Sequence, residues 1–266
     1  MISRTLALTL GGGLLLIPVL TPTTAVALPG KCAGVLGVAH RGDRTVHTEN
    51  TVPAFFDASD RGADAVETDV RITADGRFML MHDPTIDRTT VGTGYISELP
   101  STYVKSVTTN DGGRVPFLRG ALSAFRQRTG RMFIEMKRDD PHWTLVKAAE
   151  FVSVIRETAM NTRVTVTGGR RVLSLINEVA PRIRTAWKDP GFVTPEHVSP
   201  HADGATVGYG RATTAAQVTA MNEAGLQVYM TNGDKDTVRW TAALDRGYDG
   251  IYTNEISRLV AWCRAG

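Results

Sequence analysis

The sequence lacks several features that would indicate other classes of protein. Beyond residue 27 it has no apolar run long enough to cross a bilayer, which argues against a membrane span in that part of the chain. It has no dense block of lysine or arginine and a formal net charge of only +3, so we expect no nucleic-acid partner. No stretch is biased toward a few residue types, as a disordered linker would be. About 239 residues follow residue 27, enough for one barrel-sized domain or two small domains.

The first 27 residues differ from the rest. Arg4 precedes an apolar run over residues 6–20, and the small residues Ala25, Val26 and Ala27 follow. A basic start, an apolar middle and a small-residue end predict a secretory signal peptide. A retained membrane anchor is the alternative, but the run of 15 residues is shorter than the roughly 20 that a span needs. We therefore predict a signal peptide over residues 1–27, a single domain over residues 28–266, and a secreted, extracellular protein.

Short apolar, β-branched runs alternate with segments of helical periodicity along the rest of the chain. This alternation predicts βα units with parallel strands. Eight parallel strands close a TIM (β/α)8 barrel, an α/β fold. An open doubly wound sheet is the alternative, but no glycine-rich phosphate fingerprint follows the first strand. The predicted strands are residues 35–39, 65–72, 131–136, 163–167, 182–187, 205–209, 227–231 and 250–253, and the predicted helices are residues 51–60, 118–128, 143–158, 171–179, 215–223, 237–245 and 256–263.

Two segments after the second strand do not fit the alternation. Residues 78–81 follow that strand after a short turn, whereas a parallel neighbour would require a crossover of a dozen residues or more. We therefore predict an antiparallel extension there, outside the barrel. Residues 84–116 are rich in Thr, Gly and Ser, fit neither period and are too long for an ordinary connection. We interpret them as a small insertion over the functional site.

The chain has two cysteines, and they lie near its two ends. Cys32 follows the predicted signal peptide closely, and Cys263 lies three residues before the last residue. An exported protein permits a disulfide. The first and last elements of a closed barrel are neighbours, so we predict a Cys32–Cys263 bridge. Two separate thiols are the alternative.

Ionisable side chains recur where the predicted strands end. Glu67 and Asp69 lie two residues apart and so share one face of the second strand, and Glu135 and Lys137 repeat this spacing. The C-terminal ends of barrel strands carry the active site in TIM barrels, so we expect these side chains to meet in one pocket. The candidate set is His40, Arg41, Glu67, Asp69, His82, Glu135 and Lys137.

Three carboxylates of this set, those of Glu67, Asp69 and Glu135, are candidate ligands of a divalent metal. Oxygen donors suit Ca²⁺ or Mg²⁺ better than zinc, and a cation would relieve the repulsion among three carboxylates. His40 and His82 then remain for proton transfer. Taken singly, each residue has a plainer interpretation as a structural histidine, a solvated acidic face or a surface ion pair. Their joint placement at strand ends favours a site.

Short motifs cover residues 39–94 and recur near the end of the chain. In these motifs the chain resembles the glycerophosphodiester phosphodiesterase family. The resemblance is carried by His40-Arg41-Gly42, Glu49-Asn50-Thr51, Gly62-Ala63-Asp64, Glu67-x-Asp69-Val70, Thr73-x-Asp75-Gly76, His82-Asp83-Pro84, Asp87-Arg88-Thr89-Thr90-x-Gly92-x-Gly94, Glu135-x-Lys137 and Tyr248-Asp249-Gly250-Ile251-Tyr252-Thr253.

The resemblance implies roles for individual residues as well as a TIM barrel with a small insertion. His40 and His82 are expected to form the acid–base pair. The carboxylates of Glu67, Asp69 and Glu135 are expected to bind a divalent metal, with Ca²⁺ favoured over Mg²⁺.

The same matches imply contacts with the substrate. Arg41 and Lys137 are expected to contact its phosphate. The family commonly has a tryptophan near the seventh strand, and Tyr229 stands about there. We therefore expect Tyr229 to line the side of the pocket that receives the alcohol.

The activity that the resemblance implies is metal-dependent hydrolysis of glycerophosphodiesters, such as glycerophosphocholine, to glycerol 3-phosphate and an alcohol. The nearest alternative is a phospholipase D of the sphingomyelinase D type, which uses a similar barrel and histidine pair on a lipid. A non-catalytic barrel that binds a metal or ligand is a third hypothesis, although the expected catalytic set is complete. The sequence leaves the oligomeric state open. A lipid enzyme needs an apolar surface, for which the insertion and its end offer Ile96, Leu99, Tyr103, Val104 and Phe117.

Overall fold

The computed structural model describes residues 28–191, 193–210, 213–234 and 236–265. The predicted signal peptide, residues 1–27, lies outside the described residues. Within the described residues, nine strands form one sheet. In chain order they are β1 (Leu36–Ala39), β2 (Ala65–Ile72), β3 (Phe78–Leu80), β4 (Arg131–Met136), β5 (Val164–Gly168), β6 (Arg184–Lys188), β7 (Gly204–Gly208), β8 (Gln227–Thr231) and β9 (Gly250–Thr253).

The sheet closes into a barrel because β1 pairs with two neighbours. Val38 pairs in parallel with Ala65 of β2 and with Tyr252 of β9. The remaining barrel strands follow in the order β4, β5, β6, β7 and β8, and each neighbouring pair is parallel. This arrangement confirms the predicted TIM barrel. Strand β3 lies outside the closed barrel and runs antiparallel to β2, with Leu80 opposite Val70, as the short turn predicted.

Helices lie between the barrel strands and cover the outside of the sheet. Thr51, Thr144 and Thr214 cap α1, α4 and α7 because each side-chain oxygen accepts a hydrogen bond from a backbone amide of the first turn. Helices α2 and α6 are short and lie in loops where no helix was predicted. The helices are α1 (Val52–Asp60), α2 (Ser101–Ser106), α3 (Leu118–Phe125), α4 (Leu145–Glu157), α5 (Arg170–Val179), α6 (Pro195–Val198), α7 (Ala215–Glu223), α8 (Thr237–Arg246) and α9 (Ile256–Arg264).

Apolar side chains fill both faces of the barrel wall. The larger cluster lies between strands and helices and includes Ile134 and Phe151. In the smaller cluster, the ring of Phe133 lies 5.0 Å from that of Tyr229 and 5.3 Å from that of Tyr252, both in edge-to-face contact. Tyr252 also lines the cavity at the barrel mouth, so this layer forms the floor of that cavity. The smaller cluster comprises Val38, Ala65, Phe133, Ala186, Tyr229 and Tyr252.

The insertion over residues 84–116 has an apolar cluster of its own, which also includes the end of the β2–β3 hairpin. The insertion contacts the loop after β1, because the Thr48 amide donates a hydrogen bond to Asp111 Oδ2 over 2.8 Å. Leu99 and Phe117 pack against the cluster. Its buried members are Met79, Met81, Ile86, Ile96, Val104 and Val115.

The predicted disulfide joins the two ends of the described chain. Cys32 ends a short 3₁₀ turn, Gly30–Cys32, before β1, and it is bonded to Cys263 in α9. Leu28, at the start of the described chain, has only 1% of its surface exposed. No helix in the described part of the chain is long and apolar enough to cross a membrane.

Candidate active site

Strand periodicity and register bring the predicted carboxylates together at the C-terminal mouth of the barrel. Glu67 and Asp69 lie two residues apart in β2 and therefore share a face. Asp69 pairs with Glu135 of β4 in the parallel register. Carboxylate oxygens of these three residues lie within 4.8 Å of one another. The exposed fractions of Glu67, Asp69 and Glu135 are 2%, 0% and 6%, so the cluster is buried.

Two lysines neutralise part of this acidic cluster. Lys137 Nζ lies 3.2 Å from Asp69 Oδ1 and 3.1 Å from Glu135 Oε1. Lys188, the last residue of β6, contacts the other carboxylate oxygen of Glu135. Lys188 was not among the predicted site residues, although it obeys the rule that identified the others. It is a charged residue at the C-terminal end of a barrel strand.

Arg41 directs a backbone donor and a cation at two carboxylates. Its φ of 62° is in the left-handed region, which residues other than glycine rarely adopt. Its backbone amide donates a hydrogen bond to Glu67 Oε2 over 3.0 Å. Its guanidinium donates to Glu49 Oε1 over 2.9 Å, and its Nε lies 3.3 Å from Asp69 Oδ2. The turn after β1 thus holds Arg41 against the acidic cluster.

Asn50 fixes the position of Asp69 from the loop before α1. Its side-chain Oδ1 accepts hydrogen bonds from the Asp69 amide over 3.0 Å and from Thr68 Oγ1 over 2.8 Å. Its Nδ2 donates to Asp69 Oδ2 over 2.9 Å. Both ends of the Asn50 amide are therefore bonded to β2. This explains in structural terms why Asn50 belongs to the site, a role that its position in the sequence motif did not reveal.

His40 and His82 reach the same mouth from different elements. His40 follows β1, its Nδ1 is hydrogen-bonded to Asn254 Oδ1 over 2.9 Å, and its Nε2 lies 3.8 Å from Glu67 Oε2. His82 follows the hairpin, and its Nδ1 is hydrogen-bonded to Asp83 Oδ1 over 2.6 Å. In both rings Nδ1 is engaged, which leaves Nε2 for a reacting group. The sequence analysis did not identify Asn254, whose only signal is its position directly after β9.

A chain of ion pairs connects the two sides of the mouth. Arg88, from the insertion, donates hydrogen bonds to Asp83 Oδ2 over 2.5 Å and to Glu49 Oε1 over 2.6 Å. Glu49 also accepts a hydrogen bond from Arg41, and Asp83 is bonded to His82. The insertion therefore holds Glu49, which contacts Arg41, and Asp83, which contacts His82.

Burial and neighbouring charges separate the pKa values of the carboxyls. Burial, together with the nearby Asp69 and Glu135, raises the pKa of Glu67 well above its ordinary value. Burial also acts to raise the pKa of Asp69, but Lys137 and Arg41 outweigh it and hold that pKa far below its usual range. Asp69 is thus ionised at neutral pH. The positive charge around Glu67, in contrast, is too small to offset the effects of burial and of the neighbouring carboxylates.

Both histidines have lowered pKa values. Burial, followed by the charge of Arg41, lowers the pKa of His40 to about 4, although Asp69 opposes the shift. Burial is also the largest cause of the lowered pKa of His82, and Asp69 again opposes it. Both imidazoles are therefore neutral at pH 7, the form that accepts a proton.

The site surrounds a cavity of about 220 Å³ at the barrel mouth. Most of the predicted set lies in its wall, but Asp69 and Lys137 are buried against Glu135 and are not part of the lining. The lining residues are His40, Arg41, Glu67, His82, Glu135, Thr167, Lys188, Asp189, Thr206, Thr231, Asn232 and Tyr252.

Tyr229 does not line this cavity, contrary to the prediction that it faces the alcohol. It is buried in the barrel interior with 1% of its surface exposed, and it packs against Phe133. Its hydroxyl donates a hydrogen bond to Gln227 Oε1 over 2.7 Å, at the start of β8. Position 229 therefore belongs to the apolar floor, and Asn232, after the end of β8, lies in the cavity wall.

The carboxylate cluster fits a divalent metal ion. All three predicted ligands offer oxygen atoms, which is the donor type that Ca²⁺ and Mg²⁺ prefer. They come from two adjacent strands, and their oxygens are close enough to reach one ion. Bringing such carboxylates together is unfavourable unless positive charge compensates them. The raised pKa of Glu67 indicates that the lysines and Arg41 do this only in part.

A TIM barrel with buried carboxylates, two histidines and basic side chains at its C-terminal mouth has the site of an enzyme. The oxygen donors provide a place for a metal ion, and Arg41 and Lys188 provide positive charge for an anionic substrate. This combination indicates the class of hydrolases that act on phosphate esters.

Comparisons with known proteins identify the family within this class. Residues 40–258 match the Glycerophosphoryl diester phosphodiesterase family. A glycerophosphodiester phosphodiesterase of Caldanaerobacter subterraneus subsp. tengcongensis is 28% identical over 173 residues, which are 62% of this chain and 71% of that protein. The crystal structure of glycerophosphodiester phosphodiesterase from Agrobacterium tumefaciens str. C58 has a TM-score of 0.75 and 26% identity, and the match covers 85% of this chain and 99% of that chain.

A third protein shares the fold at lower identity. An Oleispira antarctica phosphodiesterase, solved in complex with the product sn-glycerol-3-phosphate, has a TM-score of 0.75 and 18% identity, with 87% of this chain and 97% of that chain covered. The present chain therefore belongs to the glycerophosphoryl diester phosphodiesterase family, and it is an enzyme of the phosphoric diester hydrolases.

Proposed function

We propose that the enzyme hydrolyses glycerophosphodiesters, such as glycerophosphocholine, to glycerol 3-phosphate and an alcohol, and that the reaction depends on a divalent metal. The observation that carries this proposal is that His40, His82, Glu67, Glu135 and Lys188 all line one cavity. Glycerol 3-phosphate is the product named for the Oleispira enzyme, and we extend it to this chain. A cavity of about 220 Å³ suits a small polar ester better than a buried lipid chain.

His40 and His82 form the acid–base pair. One neutral imidazole removes a proton from the nucleophile. The other donates a proton to the leaving alcohol and must first be protonated, a form that the negative charge of a bound phosphate favours. The hydrogen bonds of their Nδ1 atoms to Asn254 and Asp83 support this role, because they fix the rings and leave Nε2 free to exchange protons. The Asp83 carboxylate also stabilises His82 whenever that ring carries two protons.

Glu67, Asp69 and Glu135 are the residues that would hold the metal, with Ca²⁺ favoured over Mg²⁺. When bound, the ion supplies Lewis-acid stabilisation of charge on a phosphoryl oxygen. Ca²⁺ is favoured because it accepts irregular sets of carboxylate oxygens, whereas Mg²⁺ demands near-octahedral geometry and retains water.

Arg41 and Lys188 contact the phosphate of the substrate. Both line the cavity, and both are cations that can donate hydrogen bonds to phosphate oxygens. Lys137, which the sequence assigned to the phosphate, is 7% exposed and lies between the carboxylates of Asp69 and Glu135. We assign it the separate task of holding these two carboxylates together.

The decisive experiment measures the release of glycerol 3-phosphate from glycerophosphocholine with Ca²⁺, with Mg²⁺ and with a chelator. We expect metal-dependent release that His40→Ala and His82→Ala each reduce by about 100-fold or more, since general acid–base catalysis contributes about 10²- to 10⁴-fold. His142→Ala is the matched control, because the His142 side chain lies outside the cavity wall and is 38% exposed. Undiminished release with chelator, or from both active-site variants, would refute the proposed mechanism.

Most of the apolar residues that were candidates for a lipid-contacting surface are not available for that use. Of these residues, Ile96 and Val104 are buried, and Leu99 and Phe117 pack against the same cluster. Tyr103 is the exception, with 39% of its surface exposed. Cleavage of sphingomyelin or lysophospholipid without cleavage of glycerophosphocholine would nevertheless overturn the proposed substrate class.

We also propose that the enzyme is exported and that residues 1–27 are removed. The three-part pattern of those residues supports this proposal, and so does the Cys32–Cys263 disulfide, since disulfides persist mainly in oxidising compartments. Fractionation of producing cells tests it. We expect the processed protein outside the cytoplasm, and retention of the full-length chain inside the cell would contradict export.

A further inference from the structure

Three aspartates share a structural task at the end of the barrel opposite to the active site. Each of them precedes a barrel strand, and each accepts a hydrogen bond through Oδ2 from a backbone amide at the neighbouring strand. Without the aspartates these amides would lack a hydrogen-bond acceptor, because they lie where the hydrogen bonding between the paired strands begins. The pairs are Asp64 with Gly37, Asp203 with Thr185 and Asp249 with Val228, with distances of 2.7 to 2.8 Å.

Asp64 differs from the other two because it is buried. Its exposed fraction is 3%, whereas Asp203 is exposed and Asp249 is half-buried. Its second carboxylate oxygen, Oδ1, is also buried and forms no hydrogen bond of good geometry with any described residue. A buried carboxylate oxygen without a donor is costly. Burial raises the pKa of Asp64 to about 6, opposed by the amides of Gly37 and Leu28.

Leu28 and Asp64 both contact Gly37, because the Leu28 side chain packs against that residue and the Gly37 amide donates a hydrogen bond to Asp64. The Leu28 side chain is 1% exposed, and its Cδ2 lies against Gly37, where an added Cβ would approach it to 2.9 Å. The disulfide of Cys32 to Cys263, four residues further on, fixes the same segment. Contacts with residues that follow it in the chain therefore hold Leu28 in place.

We propose that removal of residues 1–27 converts the Leu28 amide into an α-ammonium group that binds the unpaired oxygen of Asp64, so that processing completes the base of the barrel. A backbone amide has one hydrogen, whereas an ammonium has three and a positive charge. The processed chain therefore gains a charged donor, with more hydrogens than the amide it replaces, for the Asp64 oxygen that has no hydrogen bond of good geometry. The inference rests on the proposed removal of residues 1–27 and is independent of the proposed reaction.

One other cation is close to this carboxyl. Arg264 lines the same cavity as Asp64, a space of about 260 Å³ that Pro29 and Gly62 also border. Arg264 donates no hydrogen bond to Asp64 Oδ1. It is the competing explanation for any charge effect on Asp64, and its replacement belongs in the experiment.

The test compares two forms of the protein, one that begins at Leu28 and one that retains Ala27, each released from a cleavable fusion without extra residues. We expect the first form to melt roughly 5 °C higher at pH 7, because it gains a charged hydrogen bond. Asp64→Asn should abolish the difference. Asp249→Asn should preserve it, because Asp249 makes the equivalent strand contact in a less buried position.

A second measurement needs no variant. The pKa of the Leu28 α-amino group is obtained from the pH dependence of its acylation in the folded protein. We expect it at least one unit above the ordinary value of about 7.7 to 8.0. Because this pKa is raised on folding, the added stability is present near pH 7 and is lost as the pH rises through the raised pKa. It also requires an ionised Asp64, so it declines again as the pH falls through the pKa of that carboxyl.

Several results would overturn the inference. These are equal melting temperatures for the two forms, an ordinary α-amino pKa, or an exported protein whose first residue is not Leu28. A difference that survives Asp64→Asn would be steric rather than ionic, and a full loss of the difference in Arg264→Gln would assign the effect to that arginine. If the protein does not hydrolyse glycerophosphodiesters but its two forms still differ in melting temperature as expected, only the proposed reaction is refuted.

Discussion

Replacement of Lys188 with methionine is expected to weaken catalysis and strengthen metal binding. Lys188 lines the cavity and also contacts the carboxylate of Glu135, a proposed metal ligand. Removal of its ammonium group deprives the substrate phosphate of a positively charged partner. It also removes a group that competes with the metal ion for the Glu135 carboxylate. Methionine retains most of the apolar stem of lysine, so the packing of the side chain changes little.

The magnitudes follow from the two contacts. A hydrogen bond to a charged group contributes about 1.5–3 kcal/mol, so loss of one phosphate contact lowers kcat/KM by about 10- to 150-fold. Lys188 is about one-third exposed, which reduces the strength of its pairing with Glu135. If that pairing contributes roughly 0.5–1.5 kcal/mol, its removal tightens metal binding by about 2- to 10-fold.

The assay is steady-state hydrolysis of glycerophosphocholine at saturating metal, with the metal dissociation constant measured separately by calorimetry. Lys105→Met is the matched control, because Lys105 is exposed on α2. Weaker metal binding in Lys188→Met would refute the reasoning, because Lys188 would then support the carboxylate cluster instead of competing with it. An unchanged kcat/KM would remove Lys188 from the phosphate site.

Three further predictions follow from the described contacts. Asp83→Asn removes the carboxylate bonded to His82; we expect kcat to fall by about 10-fold or more with a smaller effect on KM, measured as a pH–rate profile, and an unchanged profile would contradict it. Burial acts to raise the pKa of Asp75, but hydrogen bonds to its carboxylate outweigh it and lower that pKa to about 2. The stabilisation by Asp75 is therefore present above about pH 4 and is lost as the pH falls through about 2. Asp75→Asn should reduce this acid dependence of the free energy of unfolding, measured with denaturant, and Asp60→Asn is the exposed control. Loss of the disulfide in the double Cys32→Ser, Cys263→Ser variant should lower the free energy of unfolding by about 2–5 kcal/mol, and equal unfolding midpoints with and without reductant would argue against it.

The barrel and the carboxylate cluster were predictable because they depend on local patterns. The alternation of strands and helices determines the topology, and the two-residue spacing of Glu67 and Asp69 places both side chains on one face of β2. The parallel register that pairs Asp69 with Glu135 follows once the strands are neighbours. The antiparallel strand β3 followed from the length of one turn.

The rest of the site depends on contacts between residues far apart in sequence. Asn254 is bonded to His40 across 214 positions, and Lys188 contacts Glu135 across 53. Neither pairing leaves a pattern in the local sequence. Tyr229 was placed wrongly because it was matched to the tryptophan that the family commonly has near the seventh strand, and a match of position does not show where a side chain points. Its side chain instead points into the barrel interior, where alternation along β8 places it.

The insertion over residues 84–116 is stabilised largely by its own apolar cluster, and it contacts the catalytic mouth through few polar bonds. Arg88 to Glu49 and Asp111 to Thr48 are two of these bonds. A segment with this arrangement is an exchangeable module. Its outer sequence can diverge, or be grafted from a relative, while the barrel retains the carboxylates and histidines. Exchange of the segment must, however, retain Arg88, because this residue of the insertion holds Glu49 beside Arg41 and Asp83 beside His82.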